Sequence, residues 1–327
     1  MMGKAMHSMR EETYFSISPL MIFPKAFGKF RVYIRQAGNF VLYAAENEQF
    51  TPRHRQKLHD AGVDEVYIRG EQRPDYDRYL EKHLPQILND SAIPVAQRAK
   101  VLYTAAEAVV ADVFETNLPT GVAKREYARI VSLVEKSLTF LAMDESLKRI
   151  AALASHDYAV HTHNVHVFVY TTAILQTMKA DEYTQVQAGV GALLHDIGKT
   201  RIPQEILSKP GPLTEEERRI INTHPAKGLA LCQDVPLTQT ASHCILMHHE
   251  RMDGTGYPGR LAGELIPTQV RALAVADVYD ALTTNRAYAP AMPPFLALRL
   301  MRDDMPGHFD MDVYKRLVMI LSGANMV

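Results

Sequence analysis

The sequence predicts a mainly helical protein: an all-α bundle over residues 149–327, reached through linker helices at 91–148 and preceded by a small α/β module at 14–90. Three observations carry this expectation. From about residue 145 onward, apolar residues recur at helical spacing and no stretch alternates convincingly. Before that, long apolar stripes run at intervals of three and four residues. Only between about 30 and 69 do short alternating segments appear, separated by turn residues.

Taken in order, residues 1–13 are polar and methionine-rich, and are expected to form a disordered lead-in. Phe30–Arg35 and Asn39–Tyr43 alternate apolar and polar side chains around Ala37-Gly38, which reads as a strand, a tight turn and a second strand. Thr51-Pro52 then opens a short helix, because threonine caps well and proline suits the first helical position. Asp64–Arg69 reads as a further strand closed by Gly70. This module lacks any cluster of His, Cys or carboxylates, and its expected role is sensing, interaction or support. Tyr76, Tyr79, Leu80, Leu84 and Ile87 lie at helical spacing, as do Val101, Leu102, Ala105, Ala106, Val109, Val110 and Val113. A further stripe runs through Ile130, Leu133, Val134, Leu138 and Leu141. Such stripes serve either as packing surfaces for the next domain or as the seam of a homodimer.

Composition narrows the class. With 327 residues, 47% hydrophobic and 22% charged, the chain is long enough for two domains with a substantial core. A net charge of −1 gives no footprint for a nucleic-acid polymer or a membrane surface. Cys232 and Cys244 are the only cysteines and form no CxxC pair, which fits a reducing cytoplasm. No apolar run approaches the roughly 18 residues of a membrane span. Histidine is the oddity: nine of fourteen fall between His156 and His249.

Those histidines share their segments with carboxylates. Leu193–Lys199 delivers His195 and Asp196 side by side, then Gly198 and Lys199; His224 follows a capped helix start at Thr214, and His248-His249 end an apolar segment. Asp277 and Asp280 sit inside another apolar helix. Burying so many imidazoles and carboxylates without partners would cost on the order of several kcal/mol. They are therefore expected to meet, and nitrogen and oxygen donors without thiolates suit iron, manganese or zinc. Two triads emerge. One metal takes His163 (from a helix that also offers His161 and His166), His195 and Asp277; the other takes His224, His248 and His249. Asp196 bridges them. A hydroxide held between two cations can attack phosphorus, with Lys199 and Arg286 neutralising phosphate oxygens. The implied reaction is metal-assisted phosphodiester hydrolysis. The glycine-rich stretch Asp253-Gly254-Thr255-Gly256-Tyr257-Pro258-Gly259 is expected to be an exposed loop.

These motifs resemble the HD-GYP family of the HD phosphohydrolase superfamily. His195-Asp196-Ile197-Gly198-Lys199 matches its HDxGK motif, and His248–Pro258 matches HHExxDGxGYP. Gly263–Pro267 and Asp277–Thr283 continue the pattern, so the likeness covers roughly 150–320. Membership implies an all-helical HD-domain bundle, a centre of two divalent metals, iron with manganese as alternative, and hydrolysis of cyclic di-GMP to pGpG or GMP. It also implies contact of the Asp253, Gly254, Gly256, Tyr257, Pro258 loop with GGDEF-domain proteins, and it selects His163 as first ligand, with His161 as fallback and His166 as bystander. Three positions depart from the family. Ala159 replaces a carboxylate that can hold a third metal. Ala289 replaces a basic residue after Tyr288, and Met311 follows Phe309-Asp310 where the family has proline. Ala289 favours an alternative in which a low-activity protein keeps its metals and signals through the loop. Another alternative is hydrolysis of a different nucleotide, which would not call for the Gly256-Tyr257-Pro258 loop.

Overall fold

In the computed structural model, residues 13–23, 26, 28–115, 121–143, 146, 160–285 and 290–323 are described. The chain forms two compact units, Met1–Ile93 and Pro94–Val327.

The first unit is a four-stranded antiparallel sheet with two helices. Its strands are β1 (Tyr14–Ile17), β2 (Val32–Gln36), β3 (Asn39–Ala44) and β4 (Val66–Arg69), in the order β1-β4-β2-β3. The expected hairpin is β2–β3, with Gln36 paired to Asn39. Its two turn residues, Ala37 and Gly38, both have positive φ, 48° and 85°, as a two-residue hairpin turn requires. Helix α1 (Pro52–Asp60) is capped by Thr51, whose hydroxyl accepts from His54 N, and Leu58 is its buried anchor. Helix α2 (Arg73–Asn89) lays Tyr76 and Tyr79 edge-on against Phe30, with ring centroids 5.4 and 5.2 Å apart. Strand β1 is not anticipated by the sequence pattern, because four residues at a sheet edge show too little alternation to register.

The second unit is helical. Its elements are α3 (Val95–Glu115), α4 (Lys124–Leu141), α5 (Val160–Thr177), α6 (Glu182–Leu194), α7 (Gln204–Leu207), α8 (Glu215–Ile221), α9 (His224–Leu231), α10 (Gln239–Met247), α11 (Thr268–Thr283), α12 (Pro294–Asp303) and α13 (Met311–Ser322). Helices α5, α6, α10 and α11 pack on one another. Helices α3 and α4, expected as linkers, pack on α5 and α6, and the apolar residues of both stripes are buried there. Ile130, Leu133, Phe140, Leu141 and Phe168 are less than 2% exposed; each contributes about 1.5–3 kcal/mol by leaving water. Residues 1–12 of the lead-in and the segment 147–159 with Ala159 lie outside the described residues.

Candidate metal centre

Helix ends bring the ligand-type side chains together. His195 is the C-terminal cap of α6, Asp196 precedes the 3-10 turn Ile197–Arg201, His224 is the first residue of α9, and His248 caps α10. Asp277 and His163 project from the middle of α11 and from α5. The 3-10 turn and α9 touch backbone to backbone at Gly198. A Cβ there would lie 1.9 Å from the His224 carbonyl oxygen and 2.5 Å from Gly228 N, so only glycine lets Asp196 and His224 share one site.

His163, His195 and Asp277 offer ligand atoms within 4.8 Å of one another, and so do His224, His248 and His249. Both expected triads therefore assemble. Asp196 lies between them and divides its oxygens. Oδ1 is 3.3 Å from His224 Nε2 and 3.9 Å from His248 Nε2, while Oδ2 is 3.6 Å from His195 Nε2 and 3.9 Å from His163 Nε2. Asp277 also spans the centre, with Oδ1 3.0 Å from His163 Nε2 and Oδ2 3.8 Å from His249 Nδ1.

Backbone carbonyls fix which ring nitrogens face inward. The Nδ1 atoms of His195, His224 and His248 lie 2.7, 2.8 and 2.8 Å from the carbonyl oxygens of Ala192, Ile221 and Ile245. A carbonyl only accepts, so each Nδ1 donates, and the neutral ring turns the lone pair of Nε2 into the centre. Two such nitrogens, of His224 and His248, face each other at 3.0 Å. Neither neutral ring can donate to the other there. His195 Nε2 and Asp196 Oδ1 are buried without a hydrogen-bond partner. Converging lone pairs and orphaned buried acceptors fit a bound cation and little else.

Charge states agree. Burial drives His248 well below the ordinary imidazole range and lowers His195 as well. Burial also lowers His249, to about 3. A quarter of that side chain remains open to solvent, so the two enclosed rings carry more weight. Burial raises Asp196 and Asp277, but Lys199 with His195 outweighs it at the first, and His163 at the second. Both carboxyls fall well below their usual range. Lys199 Nζ reaches Asp196 Oδ2 at 2.5 Å and is about one-fifth exposed, at the wall of the site.

A second layer holds these groups, and the sequence pattern did not single it out. Asp280 accepts from His163 Nδ1 at 2.6 Å and from His166 Nδ1 at 2.8 Å. His166, expected to be a bystander, therefore belongs to the site's support. The i,i+3 spacings of His163/His166 and Asp277/Asp280 were the available signal. The glycine-rich loop is only partly exposed, which corrects the expectation. Gly256 is buried, and Tyr257 packs its ring on His249 at 4.7 Å between centroids, while Asp253 and Pro258 are exposed. Glu250 clasps the loop by accepting from Gly259 N and Leu261 N. Arg286, Ala289 and the side chain of His161 lie outside the described residues.

The chain has recognisable relatives. The HD domain family model matches residues 145–313. The cyclic di-GMP phosphodiesterase PA4108 of Pseudomonas aeruginosa is 36% identical over 185 residues, covering 56% of this chain and 44% of that protein. The cyclic di-GMP phosphodiesterase response regulator RpfG of Xanthomonas campestris is 46% identical over 104 residues, 31% of this chain and 28% of its own length. The 3'3'-cGAMP-specific phosphodiesterase 3 of Vibrio cholerae is 34% identical over 155 residues, 47% of this chain and 34% of that one. The chain spans less than half the length of these relatives. Among solved structures, Bd1817, a HDG"Y"P protein from Bdellovibrio bacteriovorus, shares the fold with a TM-score of 0.66 at 22% identity, covering 95% of this chain and all of that one.

Proposed function

The chain belongs to the HD domain family, and from that premise we propose that it hydrolyses a cyclic dinucleotide, cyclic di-GMP, to pGpG or GMP. The observation that carries this is the divided carboxylate of Asp196, one oxygen toward each histidine triad. His163, His195 and Asp277 would hold one metal, and His224, His248 and His249 the other, with Asp196 shared. Iron is the preferred ion and manganese the alternative, given a nitrogen and oxygen donor set. Metal ions in such a site make water nucleophilic toward phosphorus at neutral pH.

The chain's own residues supply the rest. The carbonyl-fixed tautomers keep the donor nitrogens aimed inward, so no reorganisation is needed on binding. Lys199 offers a cation at the wall of the site, where a phosphodiester oxygen would gain charge. Arg286, assigned from the sequence pattern alone, would be a second phosphate-binding cation. Tyr257, tilted against His249 at 32°, shields that ring and ties the loop to the centre. The exposed Asp253 and Pro258 leave the outer edge of the loop open to a GGDEF-domain partner. Cys232 and Cys244 are buried and unpaired, which suits a cytoplasmic enzyme. Among the described residues, no helix is long and apolar enough to cross a membrane.

A second reading rests on Ala289, where a basic residue is expected: metal and nucleotide are bound, turnover is slow, and the loop gives the output. The separating experiment incubates iron- or manganese-loaded protein with cyclic di-GMP and follows products chromatographically, with Asp196→Ala as control. Accumulation of pGpG or GMP only with the unmodified protein supports the enzyme. Nucleotide binding without product leaves the second reading.

A further inference from the structure

We propose that Tyr103, on α3 and outside the 145–313 family match, is a positioning residue that sets the ligand geometry of His163 through His166 and Asp280. This rests on His163 being a ligand of the metal pair.

The connection is continuous. The Tyr103 hydroxyl shares a hydrogen bond with His166 Nε2 at 3.0 Å, and the two rings stack with centroids 5.5 Å apart and planes at 22°. His166 Nδ1 donates to Asp280 Oδ1 at 2.8 Å, and the other oxygen of that carboxylate accepts from His163 Nδ1 at 2.6 Å. Thr284 Oγ1 adds a donor to Asp280 Oδ1 at 3.2 Å. His163, His166 and Asp280 are each no more than 1% exposed. These three are closed to water, and only Tyr103 at the outer end is part-buried.

Chemistry gives each member a defined task. A carboxylate accepting from Nδ1 fixes a histidine's tautomer and ring angle, leaving Nε2 free to coordinate. Asp280 does this for His163, but its own angle depends on what holds its second oxygen. The shorter of its two holders is His166, at 2.8 Å against 3.2 Å for Thr284, and the remaining nitrogen of His166 has Tyr103 as its hydrogen-bond partner. Replacing Tyr103 by phenylalanine keeps the ring stack and strands one buried nitrogen, which then seeks a partner elsewhere. The carboxylate shifts with it, and His163 loses its orientation. In the other triad His224 and His248 are set by backbone carbonyls instead, and only His249 approaches His163, through Asp277. The predicted effect is therefore one-sided.

The test is Mn(II) titration of metal-free full-length protein, followed by calorimetry and electron paramagnetic resonance. Unmodified protein should take up two Mn(II). Tyr103→Phe should bind one with unchanged affinity and the other about tenfold more weakly, at the low end of what second-layer changes do. His163→Ala should abolish that same second event, which identifies it. His166→Gln should repeat the Tyr103→Phe split, and the metal-free melting temperature of Tyr103→Phe should fall only by the few degrees that one lost buried hydrogen bond costs. Tyr103→Phe titrating like unmodified protein overturns the proposal. So does equal weakening of both events with a metal-free melting temperature lowered beyond those few degrees, the mark of a general structural role. Fewer than two Mn(II) in unmodified protein would instead defeat the two-metal reading and this proposal with it.

Discussion

Asp196 and the enclosed rings of His195 and His248 define what can be tested at single residues. Replacing Asp196 by asparagine keeps the shape and removes the charge shared by both triads. Metal content should fall below one equivalent by elemental analysis, and the proposed cyclic di-GMP hydrolysis should drop by on the order of 10³-fold. The rings make a pH prediction with a definite sign. Both are held below the ordinary imidazole value in the folded protein, so the unfolded chain binds more protons near pH 6. Stability of metal-free protein should thus rise with pH through about 6.5 and fall below it, by up to about 3 kcal/mol per pH unit for the pair. Equal denaturant midpoints at pH 5.5 and 7.5 would contradict neutral, buried rings. The sequence already grouped these residues, since imidazoles and carboxylates in apolar segments must find partners. It did not reveal Tyr103, because a hydroxyl reaching across from another helix leaves no periodic trace in its own segment.

Helix ends are where elements and site meet. Thr214 and Glu217 form the capping box that α8 advertises, with Glu217 N donating to Thr214 Oγ1 at 3.2 Å and Thr214 N to Glu217 Oε2 at 2.7 Å. Asp310 caps α13 by accepting from Asp312 N and Val313 N, and it pairs with Arg271 of α11 at 3.1 Å. Partial burial raises its carboxyl, but Arg271 and the two capping amides outweigh that and hold it below the usual range. A depressed carboxyl stabilises above its unfolded value near 4 and loses the contribution as pH falls through the folded one. Asp310→Asn keeps a capping oxygen but loses the ion pair with Arg271 and should cost up to about 1 kcal/mol at pH 7, with the gap to unmodified protein closing under strong acid in urea titrations. Start signals such as Thr51-Pro52 and Thr214 were legible because they are local. The inward turn of Tyr257 was not, because loop composition reports backbone freedom and not what a ring lands on.

At the scale of the molecule, every side chain assigned to the metal centre, and Tyr103 with it, comes from the unit Pro94–Val327. That unit expressed alone should take up the same metal equivalents as the full chain, measured by elemental analysis. A metal-free product would show that the first unit is needed to build the site. The ligands are drawn from α5, the α6 end, α9, the α10 end and α11, segments separated by up to a hundred or so residues of chain. Metal seated there would tie distant loops as a cross-link does, but one whose strength follows the free metal concentration. At a hundredfold excess over its dissociation constant a single ion adds about 2.7 kcal/mol. Loss of one ion to a chelator should therefore lower the melting temperature by roughly 5–10 °C in a unit of this size, and loss of two by about twice that. The centre then acts as a gauge: a cell short of metal would lose not only the chemistry but the standing population of the protein, since the loosened fold is what proteases find.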